Sequence, residues 1–237
     1  METQTLLQYL SAALPAIPTQ GTASSGNMIP QILAMRYGPT LNSKQVRPDP
    51  FTSPPAPIRD EPGFHFRFAA LVLPRVRHAL RAGFEQLAPE LLPRQLSAVT
   101  LDGGGSAALL DRFSPDTAFV AVDGSYSTSH NRAPGDLKVS WKWRSSMQFS
   151  QVLAFQREYR QALAQVNFYM DRHNSRHGFT LTNNEFVALK RLDGNGRLAV
   201  ATAIPWGSGD IGQPSVLLGL WYLGMLLAEE NNWAMNN

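Results

Sequence analysis

Cysteine is missing from all 237 residues, so the chain has no disulfide framework, no thiolate nucleophile and no thiolate-bound zinc or iron–sulfur site. Any metal must be held by oxygen or imidazole. Charged residues amount to only 16%, and 21 Lys+Arg against 18 Asp+Glu leave a small surplus of +3, which suits a polyanionic partner without specifying one. Long apolar runs are absent as well. The longest, Val216 to Ala228, spans 13 residues, well short of the roughly 20 that a bilayer helix needs, and reads as a buried core helix. Met1-Glu-Thr-Gln4 lacks the basic flank of a secretory leader, and Leu6 to Leu14 is interrupted by Gln8, Tyr9 and Ser11. The expectation is an intracellular protein, nuclear or cytoplasmic, without a membrane partner.

Several catalytic signatures are missing too. His173 and His177 stand four apart but lack the glutamate of H-E-x-x-H, Gly103-Gly-Gly-Ser106 lacks the P-loop lysine, and no G-x-S-x-G elbow occurs. Zinc peptidase, nucleotide hydrolase and esterase chemistry therefore have no anchor.

What is present is a hydrophobic content of 43%, ample for a core. Leu6, Leu7, Leu10 and Leu14 recur at helical spacing, predicting a short amphipathic helix that must dock somewhere. From Pro15 to Gly63 there are ten prolines, a density that argues against a helix or a central strand and predicts a proline-rich arm. The chain divides accordingly into residues 1–62, helix and arm, and residues 63–237, the globular domain. Removing the residues before about Pro62 should leave the chemistry intact and alter self-association or binding of a protein partner.

Within the domain, Phe64, Phe66 and Phe68 alternate before a helix over Arg75 to Leu87. Short β-type runs follow at Ala98 to Leu101, Thr117 to Val122 and Leu137 to Trp143. A long helix is predicted from about Phe149 to Arg172. Phe179 to Thr182, Glu185 to Leu192 and Arg197 to Ala203 are separated by Asn183-Asn184 and by Asp193-Gly-Asn-Gly196, hairpin signals that predict an antiparallel meander. Val216 to Glu230 closes the chain with a helix apolar on nearly every face. The order of elements predicts an α/β fold with a central mixed sheet flanked by helices.

Three polar features interrupt this pattern: Ser114-Pro115-Asp116, Gly135-Asp136-Leu137-Lys138 and Gln165-Val-Asn-Phe-Tyr169. The strand period of two puts Asp136 and Lys138 on one face and turns Leu137 to the other. Two carboxylates on neighbouring strands beside a lysine supply hard oxygen ligands for a divalent metal and an ammonium beside a reacting phosphate. Each feature has a plainer reading when taken alone. Asp116 then opens a strand after a turn, Asp136 and Lys138 form a surface pair, and Gln165 and Tyr169 form a polar pair one helical turn apart.

Together the three features resemble the PD-(D/E)XK nuclease superfamily. Pro115-Asp116 is similar to its "PD" element, Asp136-Leu137-Lys138 to its "(D/E)XK" element, and Gln165 to Tyr169 to the Gln-x-x-x-Tyr helix of the RecB-like branch. The runs Gly135 to Trp143, Gln165 to Met170 and Gly178 to Asn183 resemble a family of uncharacterised fungal proteins classed as PD-(D/E)XK nuclease-like. The resemblance covers about Phe64 to Ala228 and implies a restriction-endonuclease-like core. It also implies a nuclease that hydrolyses phosphodiester bonds in DNA or RNA with Mg2+ or Mn2+. Asp116, Asp136 and the strand position Leu137 would serve the metal, with Glu85 as the helix-borne third acid that the superfamily often adds. Lys138 would polarise the water, and Gln165 would orient substrate or lysine. A nuclease fold that has lost activity and only binds nucleic acid or protein is the alternative.

Between Arg132 and Arg176 stand eight Lys/Arg against three acids. Lys142, Arg144, Tyr169, Arg172 and Arg176 are accordingly expected to meet nucleic acid. Trp141, Trp143 and His177 could stack on bases or, for the tryptophans, simply pack the sheet.

Overall fold

A computed structural model describes residues 3–17, 31–46, 57–110, 114–124, 128–210 and 212–235. Strand β1 (Gln4–Thr5) leads directly into helix α1 (Leu6–Leu10). The start is sharp because Thr5 Oγ accepts from the Gln8 amide at 3.2 Å while Gln8 Oε1 accepts from the Thr5 amide at 2.9 Å, a reciprocal cap. Helix α2 (Gln31–Ser43) and strand β2 (Gln45–Val46) follow, and β2 pairs antiparallel with β1.

Two expectations change here. Proline density was expected to exclude a helix, yet α2 runs through Pro39. Tyr37 and Leu41, one turn apart, are buried in the main core, and that tertiary burial outweighs the weak local propensity. Secondly, the N-terminal helix needs no outside groove. Leu6, Tyr9, Leu10, Leu14 and Ile17 belong to the same buried cluster as the sheet, so the described N-terminal residues share the core of the segment that begins at 63. The stretches 18–30 and 47–56 of the expected arm lie outside the described residues.

Helix α3 (Glu61–Arg67) continues through a π-helical turn (Phe68–Val72) into α4 (Leu73–Gln86). The alternating phenylalanines are helical: Phe64 and Phe68, four apart, are buried, while Phe66 faces solvent. The seven-stranded sheet is built from β3 (Val99–Gly103), β4 (Thr117–Ala121), β5 (Gly135–Lys138), β6 (His177–Thr182), β7 (Glu185–Arg191) and β8 (Leu198–Val200), with the short β9 (Ile204–Pro205) on β7. Its order is β3-β4-β5-β6-β7-β8. All pairings are antiparallel except β5 with β6, where helix α5 (Leu153–Arg172) makes the crossover that a parallel pair requires. Helix α6 (Val216–Leu227) closes the fold.

Strand alternation sorts the side chains into two layers. Leu101, Phe119, Leu137, Phe179 and Leu181 face α4 and α6 in the main core, whereas Val187 and Leu189 pack against Val166 and Met170 of α5. The fold is thus a mixed α/β architecture with helices on both faces of the sheet. Among the described residues, no helix is long and apolar enough to cross a membrane.

Glycine has a specific task at two points. A Cβ on Gly135 would meet Phe179 at 2.1 Å and Thr117 Oγ1 at 2.2 Å, and one on Gly178 would meet Met170 Sδ at 2.8 Å. Only a residue without a side chain lets β5 and β6 close up here and lets α5 lie on β6. Strand β5 stops at Lys138, short of the Trp143 expected, because the amides of Lys142 and Trp143 both turn back to the Val139 carbonyl.

Candidate active site

The face of β5 that carries Asp136 and Lys138 is the one turned away from the main core, and three neighbouring elements converge on it. Asp116 stands immediately before β4, and its Oδ2 accepts the Leu137 amide at 2.7 Å. Leu137 contributes only backbone, since its side chain is buried in the core on the opposite face. Lys138 Nζ donates to Asp136 Oδ1 at 2.8 Å. The sequence-predicted trio of Asp116, Asp136 and Lys138 is therefore brought together.

Glu85 is not part of it. On α4 its side chain is 59% exposed and bonds Lys44 at 3.1 Å, away from the cluster. The acid that reaches the lysine from a helix is Glu61, the first residue of α3: Lys138 Nζ lies 3.5 Å from Oε1 and Lys142 Nζ 2.6 Å from Oε2. Its position follows from local rules. Asp60 caps the helix by accepting the Gly63 amide at 2.8 Å, and Pro62 sits in the first turn. Asp60-Glu61-Pro62 is a helix-start signature that sequence reading had available but assigned to the arm. One turn later His65 Nε2 comes within 3.9 Å of Asp116 Oδ2. Thr180 completes the surroundings: it is the in-register neighbour of Asp136 on β6, and its buried hydroxyl has no hydrogen-bond partner.

Asp116, Asp136 and Glu61 gather about Lys138, with Lys142 on the outer side of Glu61, and burial and charge shift these groups in different directions. Burial, together with Asp116 and Glu61 and against the attraction of Lys138, pushes the Asp136 carboxyl up to about 6. For Lys138, burial acts downward, but Asp136, Glu61 and Asp116 outweigh it and raise the ammonium above its ordinary value. Glu61 goes the other way. Burial opposes the change, yet the Lys142 hydrogen bond and the two ammonium charges hold its carboxyl below the usual range.

The donor set fits a hard divalent cation. Asp136 is 1% exposed, and its Oδ2 is buried with no hydrogen-bond donor, an arrangement costly for a carboxylate unless a cation or proton satisfies it. Among the described residues, no three His, Asp or Glu side chains already form a closed metal cage. The positive charge seated among the acids here is the Lys138 ammonium.

Other expected contacts lie elsewhere. Gln165 is exposed, and its Nε2 donates to the Tyr169 hydroxyl at 3.1 Å, so this pair meets within α5 rather than at Lys138. Lys142 joins the cluster through Glu61, and Arg144 is exposed just beyond it. Arg172 stacks over Phe168 at 5.0 Å, and the Arg176 backbone is tied to Trp233 and Arg191. Trp143 is a packing residue, stacked on Tyr159 with its Nε1 donating to the Tyr159 carbonyl at 3.3 Å. His177 is buried and unavailable to stack on a base.

The two buried histidines carry a stability consequence. Burial, then the charge of Lys190, pushes His177 down to about 4, with Asn232 opposing and Arg176 assisting. Burial and neighbouring His130 push His173 down to about 4 as well. Both are neutral in the fold and protonate near 6.5 when unfolded, so their contribution is present above pH 6.5 and lost as pH falls toward 4. Each should cost up to about 2 kcal/mol between pH 7 and pH 5. Asp136 gains stability over the same window, offsetting part of that loss. Urea midpoints at the two pH values, in wild type and His177→Gln, measure this; a pH-dependent loss undiminished in the variant would remove His177 from the account.

The chain matches no protein-family model, no curated protein and no solved structure.

Proposed function

We propose that the protein is a divalent-metal-dependent nuclease with a restriction-endonuclease-like core, in keeping with the PD-(D/E)XK resemblance. The observation that carries this reading is the gathering of Asp116, Asp136 and Glu61 about Lys138, with one oxygen of Asp136 left buried and unpartnered. Asp116 and Asp136 would hold Mg2+ or Mn2+, with Glu61 taking the place expected for Glu85. When bound, the cation would neutralise phosphate charge and make water more acidic.

The chain's own residues do the rest. Asp136 and Glu61 fix the Lys138 ammonium in place, where it can donate to the attacking water or to a phosphate oxygen. The Leu137 amide holds Asp116 in a single orientation, so this carboxylate is preorganised. Lys142 and Arg144, on the turn leaving β5, offer charge for the neighbouring phosphates. On α5, Gln165 is the exposed member of its pair and the one that can meet substrate, whereas Tyr169 is buried and serves only as its hydrogen-bond partner. Acting on cellular nucleic acid would place the chain in the nucleus or cytoplasm.

Incubating the full chain with labelled single-stranded and duplex DNA and RNA, in Mg2+, Mn2+ or EDTA, tests the proposal. Metal-stimulated cleavage is expected, with Lys138→Met lower by about 10²–10³-fold. Binding without cleavage in any metal would instead favour an inactive nuclease-fold module. Cleavage undiminished in Lys138→Met would remove the chemistry from this cluster.

A further inference from the structure

The chain leaving the site carries a surface that the cluster does not use. After β5 the turn exposes Trp141 at 44%, and the following 3-10 turn (Ser145–Phe149) and the start of α5 expose Phe149 at 78%, Leu153 at 78% and Phe155 at 40%. Four large apolar side chains this exposed within fifteen residues of chain are a concentration that a surface meeting only water does not need. Burial elsewhere in the segment fixes its framework, because Trp143 and Met147 pack against Tyr159 and Ala162 of α5.

The segment is not neutral. From Trp141 to Arg160 there are four basic residues, Lys142, Arg144, Arg157 and Arg160, and one acid, Glu158. Four minus one is +3, as much as the net charge of the entire 237-residue chain. Leu153, Arg157 and Arg160 line one shallow depression of about 710 Å³ on α5, so at the start of this helix an exposed apolar side chain and two guanidinium groups share a surface. Lys142, at the near end, touches Glu61 and so connects this surface to Lys138.

We propose that the turn after β5 and the first turns of α5 bind an unpaired stretch of nucleic acid leading into the site. Exposed rings flanked by guanidinium groups suit bases that present their faces, and stacking of this kind contributes about 1–3 kcal/mol per base. A duplex hides those faces, and only the cationic part of the surface can then act. The inference takes nucleic acid as the substrate, and so rests on the proposed function.

Fluorescence anisotropy in EDTA, with labelled oligothymidine and a duplex of equal length, separates binding from cleavage. The full chain is compared with Phe149→Ser/Leu153→Ser and with Arg157→Gln/Arg160→Gln, all four positions lying on the outer surface. The apolar pair should weaken single-strand binding about tenfold, equivalent to about 1.4 kcal/mol, with little change for duplex. The arginine pair should weaken both and lower the single-strand salt slope by about 1.4. Unchanged single-strand affinity in the Phe149/Leu153 variant overturns the assignment. So does light scattering that finds a wild-type dimer split by that variant, because a second copy then covers these side chains. Failure of cleavage with this binding pattern intact would instead count against the nuclease reading alone.

Discussion

Deleting residues 1–17 is expected to abolish cooperative folding. Leu6, Tyr9, Leu10, Leu14 and Ile17 are all buried in the main cluster beside residues of α4 and α6. Backbone ties add to this: Ser215 Oγ donates to the Leu10 carbonyl, and Trp206 Nε1 donates to the Pro15 carbonyl at 2.9 Å. Truncating one buried leucine to alanine costs about 2–5 kcal/mol. Losing five such side chains costs on the order of 10 kcal/mol, comparable with the entire stability of a domain, about 5–15 kcal/mol. A deletion extended to Pro62 would also remove Glu61 from the site. Thermal melts of full-length and truncated chains decide the matter, and Leu10→Ala, expected to melt lower by about 10 °C, supplies a milder variant. A truncated chain that melts cooperatively at the full-length midpoint would show that these residues are an appendage.

That expectation reverses the one drawn from sequence, and the reason is physical. Leu6, Leu7, Leu10 and Leu14 announce an apolar stripe, but no local pattern says which surface covers it. The covering surface comes from α4 and α6, far along the chain, so only tertiary structure reveals it. Elements whose cause is local were legible: the Asn183-Asn184 hairpin, the closing helix α6 and most of α5 fall close to where periodicity placed them. Pro39 inside α2 was not, since burial of Tyr37 and Leu41 overrides propensity there.

The site divides in the same way. Asp136 and Lys138 share a face by strand period, which sequence gives directly, and adjacency of β4 to β5 brings Asp116 alongside. Glu61 and His65 arrive by the way α3 crosses β5, a packing relation with no sequence signal beyond the Asp60 cap. Glu85 stands among the apolar Phe84 and Leu87, the sequence setting of an inward-facing acid. Those neighbours are indeed buried, but Glu85 projects past them to Lys44.

Replacing Asp136 with asparagine is expected to stabilise the metal-free protein by about 1–3 kcal/mol at pH 7 while removing metal binding and cleavage. The folded-state carboxyl titrates near 6 against a reference of 3.8, so ionising it costs the fold more than the unfolded chain. At pH 7 both states are ionised and the fold bears that full cost, whereas below about pH 4 both are protonated and the cost vanishes. The stability gap between variant and wild type should therefore be widest above pH 6 and close as pH falls toward 4. The asparagine side chain retains an oxygen that can accept from Lys138, so the lysine keeps a partner. Glu61→Gln should behave oppositely, lowering stability slightly at pH 7, because its carboxylate is held charged by Lys138 and Lys142. Urea denaturation at pH 7 and pH 4.5, with calorimetric Mg2+ and Mn2+ titration of each protein, reads all of these effects. A destabilised Asp136→Asn at pH 7 would mean that Asp136 is worth more to the fold as an anion than its burial costs. Titration heats equal to wild type would mean that a metal, if it binds, is held elsewhere.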